Sequence, residues 1–254
     1  MIKSIESRLG VAILCLTATS TAFAGGAAIW SYEGATGPEN WGQLAADWDV
    51  CSDGRYQSPI DIRDGIDANL GDVKVAVKST GLSFGLDGPT FAVPYEKGSW
   101  FTINNTRYEL QQFHFHHPSE HTLNGKQYPM EGHMVLKSEG SDHADAVMGV
   151  FIEVGDENPM LKQIWNVLPR SNKASTQGIQ VNVATLLPAS TEYYMYEGSM
   201  TTPACPQGVR WFVMENAVQA SQGQIDTFIA DLTAGTTNNR PLQMANGRAI
   251  LKGK

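Results

Sequence analysis

The stretch QFHFHHPSEHTLNGKQYPMEGHMV, Gln112 to Val135, holds five of the six histidines in a chain of 254 residues. Read as strand, His114 and His116 stand two residues apart and point to the same face, about 6–7 Å from one another along the chain. That spacing suits two ligands of one ion. Asn124-Gly125 is a two-residue hairpin signal, so the segment from Met130 to Val135 can return antiparallel and bring His133 to the same side as a third imidazole. Three neutral imidazoles without a thiolate or carboxylate favour zinc, and three protein ligands leave a coordination position open, as in a catalytic site. An HxHH run also fits a surface cluster that binds metal weakly, or cross-strand histidines in a core. The residues two positions before the ligands tell against both. Gln112 shares the face of His114 and Glu131 the face of His133, and each can accept an imidazole N–H, fixing the tautomer and raising ligand basicity.

Outward from this segment, short β-branched and aromatic runs fill Val73 to Phe115, separated by Gly, Asp and Asn turns. His143 to Gly155 reads as a buried strand, and Val209 to Glu215 as another. Pro159 to Val167 has helical spacing with proline at its start, and Ser221 to Leu232 is an amphipathic helix pattern. Ala27 to Asp61 shows no period and reads as an irregular wrap. The pattern predicts a mainly β, α+β, single domain with a mostly antiparallel sheet and short peripheral helices.

Lys3 and Arg8 precede an apolar run from Val11 to Leu16, and Ala22-Phe23-Ala24 offers a small-x-small cleavage site before Gly25. Residues 1–24 therefore read as a removable secretory signal, leaving 25–254 as one domain in the periplasm or outside the cell. The apolar run is shorter than the roughly 18–20 residues a membrane span requires, so no membrane anchor is expected. Lys3 and Arg8 against Glu6 give the signal a charge of +1; the net −8 of the whole chain thus becomes −9 for the remainder. Such an acidic balance argues against nucleic-acid and anionic-membrane partners.

The histidine segment resembles the zinc-binding core of the α-class carbonic anhydrases, and is especially similar to their secreted bacterial members. The resemblance extends through WSYEG (Trp30–Gly34), GPENW (Gly37–Trp41), QSPIDI (Gln57–Ile62), QIWNVLP (Gln163–Pro169), YEGSMTTPACPQGVRW (Tyr196–Trp211) and NNRPLQ (Asn238–Gln243). These blocks span nearly all of the chain after the signal, in family order. The resemblance implies a large twisted central sheet of about ten strands with zinc at the bottom of a cone. It implies that His114, His116 and His133 hold the Zn2+, and that the reaction is reversible hydration of carbon dioxide to bicarbonate and a proton by a zinc-bound hydroxide. Thr201 matches the threonine that accepts the hydroxide's hydrogen, and Glu120 the buried carboxylate that accepts the threonine's. Val135, Val147, Val209 and Trp211 match the apolar substrate wall. Met200 stands there where leucine is more usual, and Thr202 follows Thr201. Each of these apolar residues also reads as plain core, and Thr201, Thr202 and Glu120 as an ordinary polar turn and a loop acid.

Once the signal is removed, Cys51 and Cys205 are the only cysteines. An even pair in an exported chain reads as a disulfide, and bacterial members of the family join matching positions; two free buried thiols are the alternative. One departure from the family is Asp87-Gly88-Pro89-Thr90, where relatives commonly carry a histidine at the place of Pro89 to ferry protons to solvent. His117 should face away from the ligands, His121 matches a buried family position, and His143 falls in a loop, so none is an evident replacement; Tyr32 with ordered water is the other path open. Two other functions compete. One is a catalytically silent, carbonic-anhydrase-like zinc-binding protein; the intact histidine triad, Glu120 and Thr201 argue against it. The other is an unrelated zinc hydrolase, against which stands the absence of an HExxH helix. Bacterial relatives include homodimers, and no stretch of this chain marks an interface.

Overall fold

The computed structural model describes residues 29–87, 90–167, 178–233 and 235–253. The signal over 1–24, Pro89, and Leu168 and Pro169 of the QIWNVLP block lie outside the described residues.

A mixed sheet of twelve strands dominates the described residues. Along its main path the order is Ile66–Asp67, Leu251–Gly253, Tyr193–Ser199, Gln207–Met214, Ala146–Val154, Met130–Ser138, Thr106–His116, Thr90–Pro94 and Gly85–Asp87. Antiparallel pairing prevails, as the sequence leads one to expect. Parallel contacts join Ala146–Gly149 to Arg210–Val213, Ile152–Val154 to Val218–Ala220, and Leu251–Lys252 to Ile66–Asp67. The Asn124-Gly125 signal forms a tight hairpin between Thr122–Leu123 and Lys126–Gln127, with both turn residues at positive φ (52° and 79°), as a two-residue turn between twisted strands demands.

Alternation along the central strands divides the interior in two, because successive side chains leave a strand on opposite faces. Phe113, Phe115, Met134, Met148, Val150 and Phe212 belong to one buried cluster; Val147, Phe151, Tyr196, Val209, Trp211 and Val213 belong to the other. The two longer helices cover the first face. Pro159–Trp165 is capped by Asn158, whose side chain accepts from the N–H groups of Met160 and Leu161. Gln222–Leu232 starts with a reciprocal Ser221/Gln224 capping box, which satisfies two otherwise unpaired donors. Trp165 stacks on Phe228, and both rings meet Phe115 edge-on. With helices closing the phenylalanine face, the opposite face carries the histidines.

The N-terminal wrap, expected to be irregular, contains four short turns of helix, Gly34–Thr36, Pro38–Asn40, Trp41–Leu44 and Val50–Asp53. Trp41 is fully buried and its indole N–H donates to the carbonyls of Ser31 and Thr36. A disulfide joins Cys51 to Cys205 across 154 residues of chain and packs in a small cluster with Trp41. No helix among the described residues is long and apolar enough to cross a membrane.

Candidate metal centre

Two adjacent strands place the imidazoles by register. His133 on Met130–Ser138 lies opposite His114 on Thr106–His116, while Glu131 lies opposite His116. His114, His116 and His133 are all buried, and each offers a ring nitrogen within 4.8 Å of those of the other two.

Hydrogen bonds fix which nitrogen each ring presents. His114 Nδ1 is 2.9 Å from Gln112 Oε1, His116 Nδ1 is 2.6 Å from the Asn238 carbonyl, and His133 Nε2 is 2.9 Å from Glu131 Oε1. All three partners are acceptors, so each of these nitrogens carries the proton. The lone pairs left over are on His114 Nε2, His116 Nε2 and His133 Nδ1. Burial first, and then the neighbouring His116 and His133, hold the His114 pKa well below its ordinary 6.5. Burial likewise lowers that of His116, against the opposing pull of Glu120. Both rings are therefore neutral, the form a metal requires.

Among the described residues, two buried side-chain polar atoms have no hydrogen-bond partner, His116 Nε2 and Glu120 Oε2. Both are acceptors, they lie 3.6 Å apart, and Glu120 Oε2 is 3.9 Å from His133 Nδ1. Neither separation is a hydrogen bond, and a buried acceptor without a donor is costly. A cation beside these atoms removes that cost, so the residues fit a metal ion. A second group, His121, Glu131 and His133, also has ligand-like spacing. Ordinary hydrogen bonds of 2.8 and 2.9 Å to Glu131 account for it. Burial alone would raise the Glu131 pKa; electrostatic attraction to His121 and His133 and the hydrogen bonds they donate outweigh it and hold this carboxyl well below its usual 4.5.

The other Glu120 oxygen, Oε1, accepts the Arg240 backbone N–H at 2.7 Å. No hydrogen bond joins Thr201 to Glu120, so the relay implied by the family resemblance is not closed. The physical reason is the aim of the carboxylate, whose free oxygen faces the lone pairs of His116 and His133.

Thr201 is buried at the wall of a cavity of about 290 Å3 lined also by Gln112, His114, His133, Val135, Val147, Met200, Thr202 and Trp211. Register explains the wall: Val135 pairs with Gln112 and with Val147, and Val147 pairs with Trp211. Val209 is buried in the cluster behind the wall rather than on the cavity surface. The loop Thr201–Pro206 completes the rim, held by Cys205 N–H donating to Thr202 O and by the disulfide. His117 turns aside, with its N–H on Asn238 Oδ1 and its Nδ1 on Pro129 O, and His143 is exposed beside Asp142.

Two contributors escaped reading from spacing, Asn238 and Arg240. The Arg240 guanidinium is buried and donates to Gln57 Oε1, Ser58 O and Cys51 O. Burial lowers its pKa to about 10. Both sit in the NNRPLQ block, about 120 residues beyond the histidines, so only that block's family likeness could have flagged them.

A mainly β sheet that gathers three buried imidazoles, two of them lining a cavity with an apolar wall, has the form of a single-metal enzyme. The family described as eukaryotic-type carbonic anhydrase matches residues 36–254. The carbonic anhydrase of Pectobacterium carotovorum is 37% identical over 251 residues, 97% of this chain and all of that protein. That of Neisseria gonorrhoeae is 37% identical and covers 98% of each. Among solved structures, α-carbonic anhydrase from Thermovibrio ammonificans, in complex with the inhibitor sulfanilamide, superposes with a TM-score of 0.81 at 38% identity, over 89% of this chain and all of that one. The chain belongs to the α-type carbonic anhydrase family, and is an enzyme of that family.

Proposed function

We propose that the protein catalyses the zinc-dependent, reversible hydration of carbon dioxide to bicarbonate and a proton, with zinc held by His114, His116 and His133. The observation that carries this reading is the set of three imidazoles whose protons are all given to Gln112, Asn238 and Glu131, leaving three lone pairs turned together. Zinc, when bound, supplies the Lewis acidity that makes water a nucleophile at neutral pH.

The chain's own residues do the rest. Val135, Val147, Met200 and Trp211 give an apolar substrate a dry seat beside the imidazoles. Val209 supports that wall from behind. Thr201 and Thr202 bring hydroxyls to the same cavity, where Thr201 orients the attacking oxygen. Glu120, pinned by the Arg240 amide, offers its second oxygen as an acceptor. With a metal held by the three histidines, that oxygen would be the acceptor for the Thr201 hydroxyl. Such positioning lowers the barrier by pre-paying orientational entropy.

Proton export is the slow step in this reading. Among the described residues, no titratable side chain lines the cavity except His114 and His133, and Pro89, which occupies the family's shuttle position, cannot ionise. The maximal rate should therefore rise with external buffer concentration, and Pro89→His should make it less dependent on buffer. Export of the chain after removal of residues 1–24, to the periplasm or beyond, accords with the Cys51–Cys205 disulfide, which persists in oxidising compartments.

Stopped-flow CO2 hydration by the mature protein, with and without zinc, tests the proposal. Fast hydration that needs zinc and is abolished by His114→Ala is expected. One bound zinc per chain with no hydration would reassign it as a catalytically silent zinc-binding protein.

A further inference from the structure

Behind the ligand His133 runs a chain of buried polar groups that the reaction itself does not use. His133 Nε2 and His121 Nδ1 both reach Glu131 Oε1, at 2.9 and 2.8 Å, and the His121 backbone N–H fills Glu131 Oε2 at 2.8 Å. On its far side His121 Nε2 is 2.7 Å from Tyr196 Oη, which is 2.8 Å from Ser58 Oγ. Ser58 Oγ in turn accepts the Ser199 N–H at 3.1 Å. Tyr196, His121 and Glu131 are all buried.

The direction of this chain follows from its ends. Glu131, as a carboxylate, only accepts, so His121 Nδ1 donates to it, and the Tyr196 hydroxyl faces the other ring nitrogen, Nε2. Burial pushes the Tyr196 phenol pKa well above 10, against the lowering effect of Ser58, so the hydroxyl keeps its proton and donates it to His121 Nε2. Glu131 is thus clamped at both oxygens by His121, and His121 is held in its rotamer by the tyrosine hydroxyl. Two glycines leave room for the arrangement. A Cβ on Gly149 would lie 2.8 Å from Glu131 Oε1, and one on Gly198 would lie 2.1 Å from Ser58 Oγ and 2.8 Å from the Tyr196 ring.

We propose that Tyr196 and Ser58 are positioning residues for the metal. Acting through His121 and Glu131, they hold the His133 imidazole in the orientation and basicity that slow metal release. The inference rests on His133 being a zinc ligand. Partners one bond from a ligand typically change metal affinity 10–100-fold, and Tyr196 acts one residue further out.

The test is transfer of zinc from the loaded, full mature protein to excess EDTA, compared for the parent, Tyr196→Phe, Glu131→Gln and the double variant. Phenylalanine keeps the ring stacked on Trp211 and removes only the hydroxyl. Tyr196→Phe is expected to release zinc about fivefold faster, and to add no further acceleration once Glu131→Gln has cut the chain, because coupled residues are non-additive. Ser58→Ala, which acts on the phenol from the other side, is expected to give a smaller rise in the same direction and serves if Tyr196→Phe does not fold. Unchanged release with a lowered melting temperature, or the same fold-change in both backgrounds, would overturn the inference and leave the hydroxyl as a packing contact. A parent protein that binds no zinc would instead sink the proposed function.

Discussion

Gly149 lies beside the carboxylate that holds His133, and the space it leaves is occupied by Glu131 Oε1. Gly149→Ala should therefore cost about 1–3 kcal/mol through overpacking and weaken metal binding by about tenfold through displacement of Glu131. Urea unfolding of the metal-free protein and chelator competition measure the two effects separately. The same group of residues sets an acid limit. His114 and His116 have folded-state pKa values below 6.5, and Glu131 one below 4.5. In each case the unfolded chain binds more protons in acid, so stability is present above the unfolded value and is lost as pH falls toward the depressed folded one. The urea midpoint of the metal-free protein should fall steadily from pH 6.5 downward; a flat profile between pH 7 and 5 would contradict this. The clustering of His114, His116 and His133 and the polar partners of His114 and His133 were legible in the sequence, because strand periodicity makes residues two apart share a face. Asn238 was not, since its contact with His116 is made by a backbone carbonyl 122 residues away, and no side-chain pattern records that.

Gln224 plays two parts at the level of the elements. Its Oε1 closes the capping box on Ser221 N–H at 3.0 Å and also accepts Asn158 N–H at 2.9 Å, while its Nε2 donates to Asn158 O at 2.7 Å. One side chain thus starts the Gln222–Leu232 helix and joins it to the residue that caps Pro159–Trp165. Ser221→Ala should cost about 1 kcal/mol as a lost cap. Gln224→Ala should cost more, about 2–4 kcal/mol, because it leaves buried partners unpaired; thermal unfolding of the two variants checks the order. Both helices, the Asn124-Gly125 hairpin and the strands around His114, Val147 and Val209 were readable from period, caps and turn residues. The parallel contacts of Ala146–Val154 were not, because one buried run of apolar residues serves equally beside a parallel or an antiparallel neighbour.

Across the whole molecule, the chain's early and late segments meet at the centre. Cys51 is bonded to Cys205, and the Arg240 guanidinium reaches Cys51 O, Gln57 and Ser58 while its amide holds Glu120. Replacing both cysteines by serine should lower stability by about 4–5 kcal/mol, the chain-entropy value for so long a loop. Urea unfolding with and without reductant should give the parent, but not the variant, two different midpoints. The antiparallel register of Thr106–His116 against Met130–Ser138 has a further consequence. Shifting either strand by one residue sends all of its odd or even side chains to the opposite face, and the imidazoles would then enter the phenylalanine layer. A misaligned chain cannot assemble the triad. Under the proposed function, counting bound zinc per polypeptide after refolding is therefore a census of correctly aligned molecules, a quality assay that the fold supplies without any added reporter.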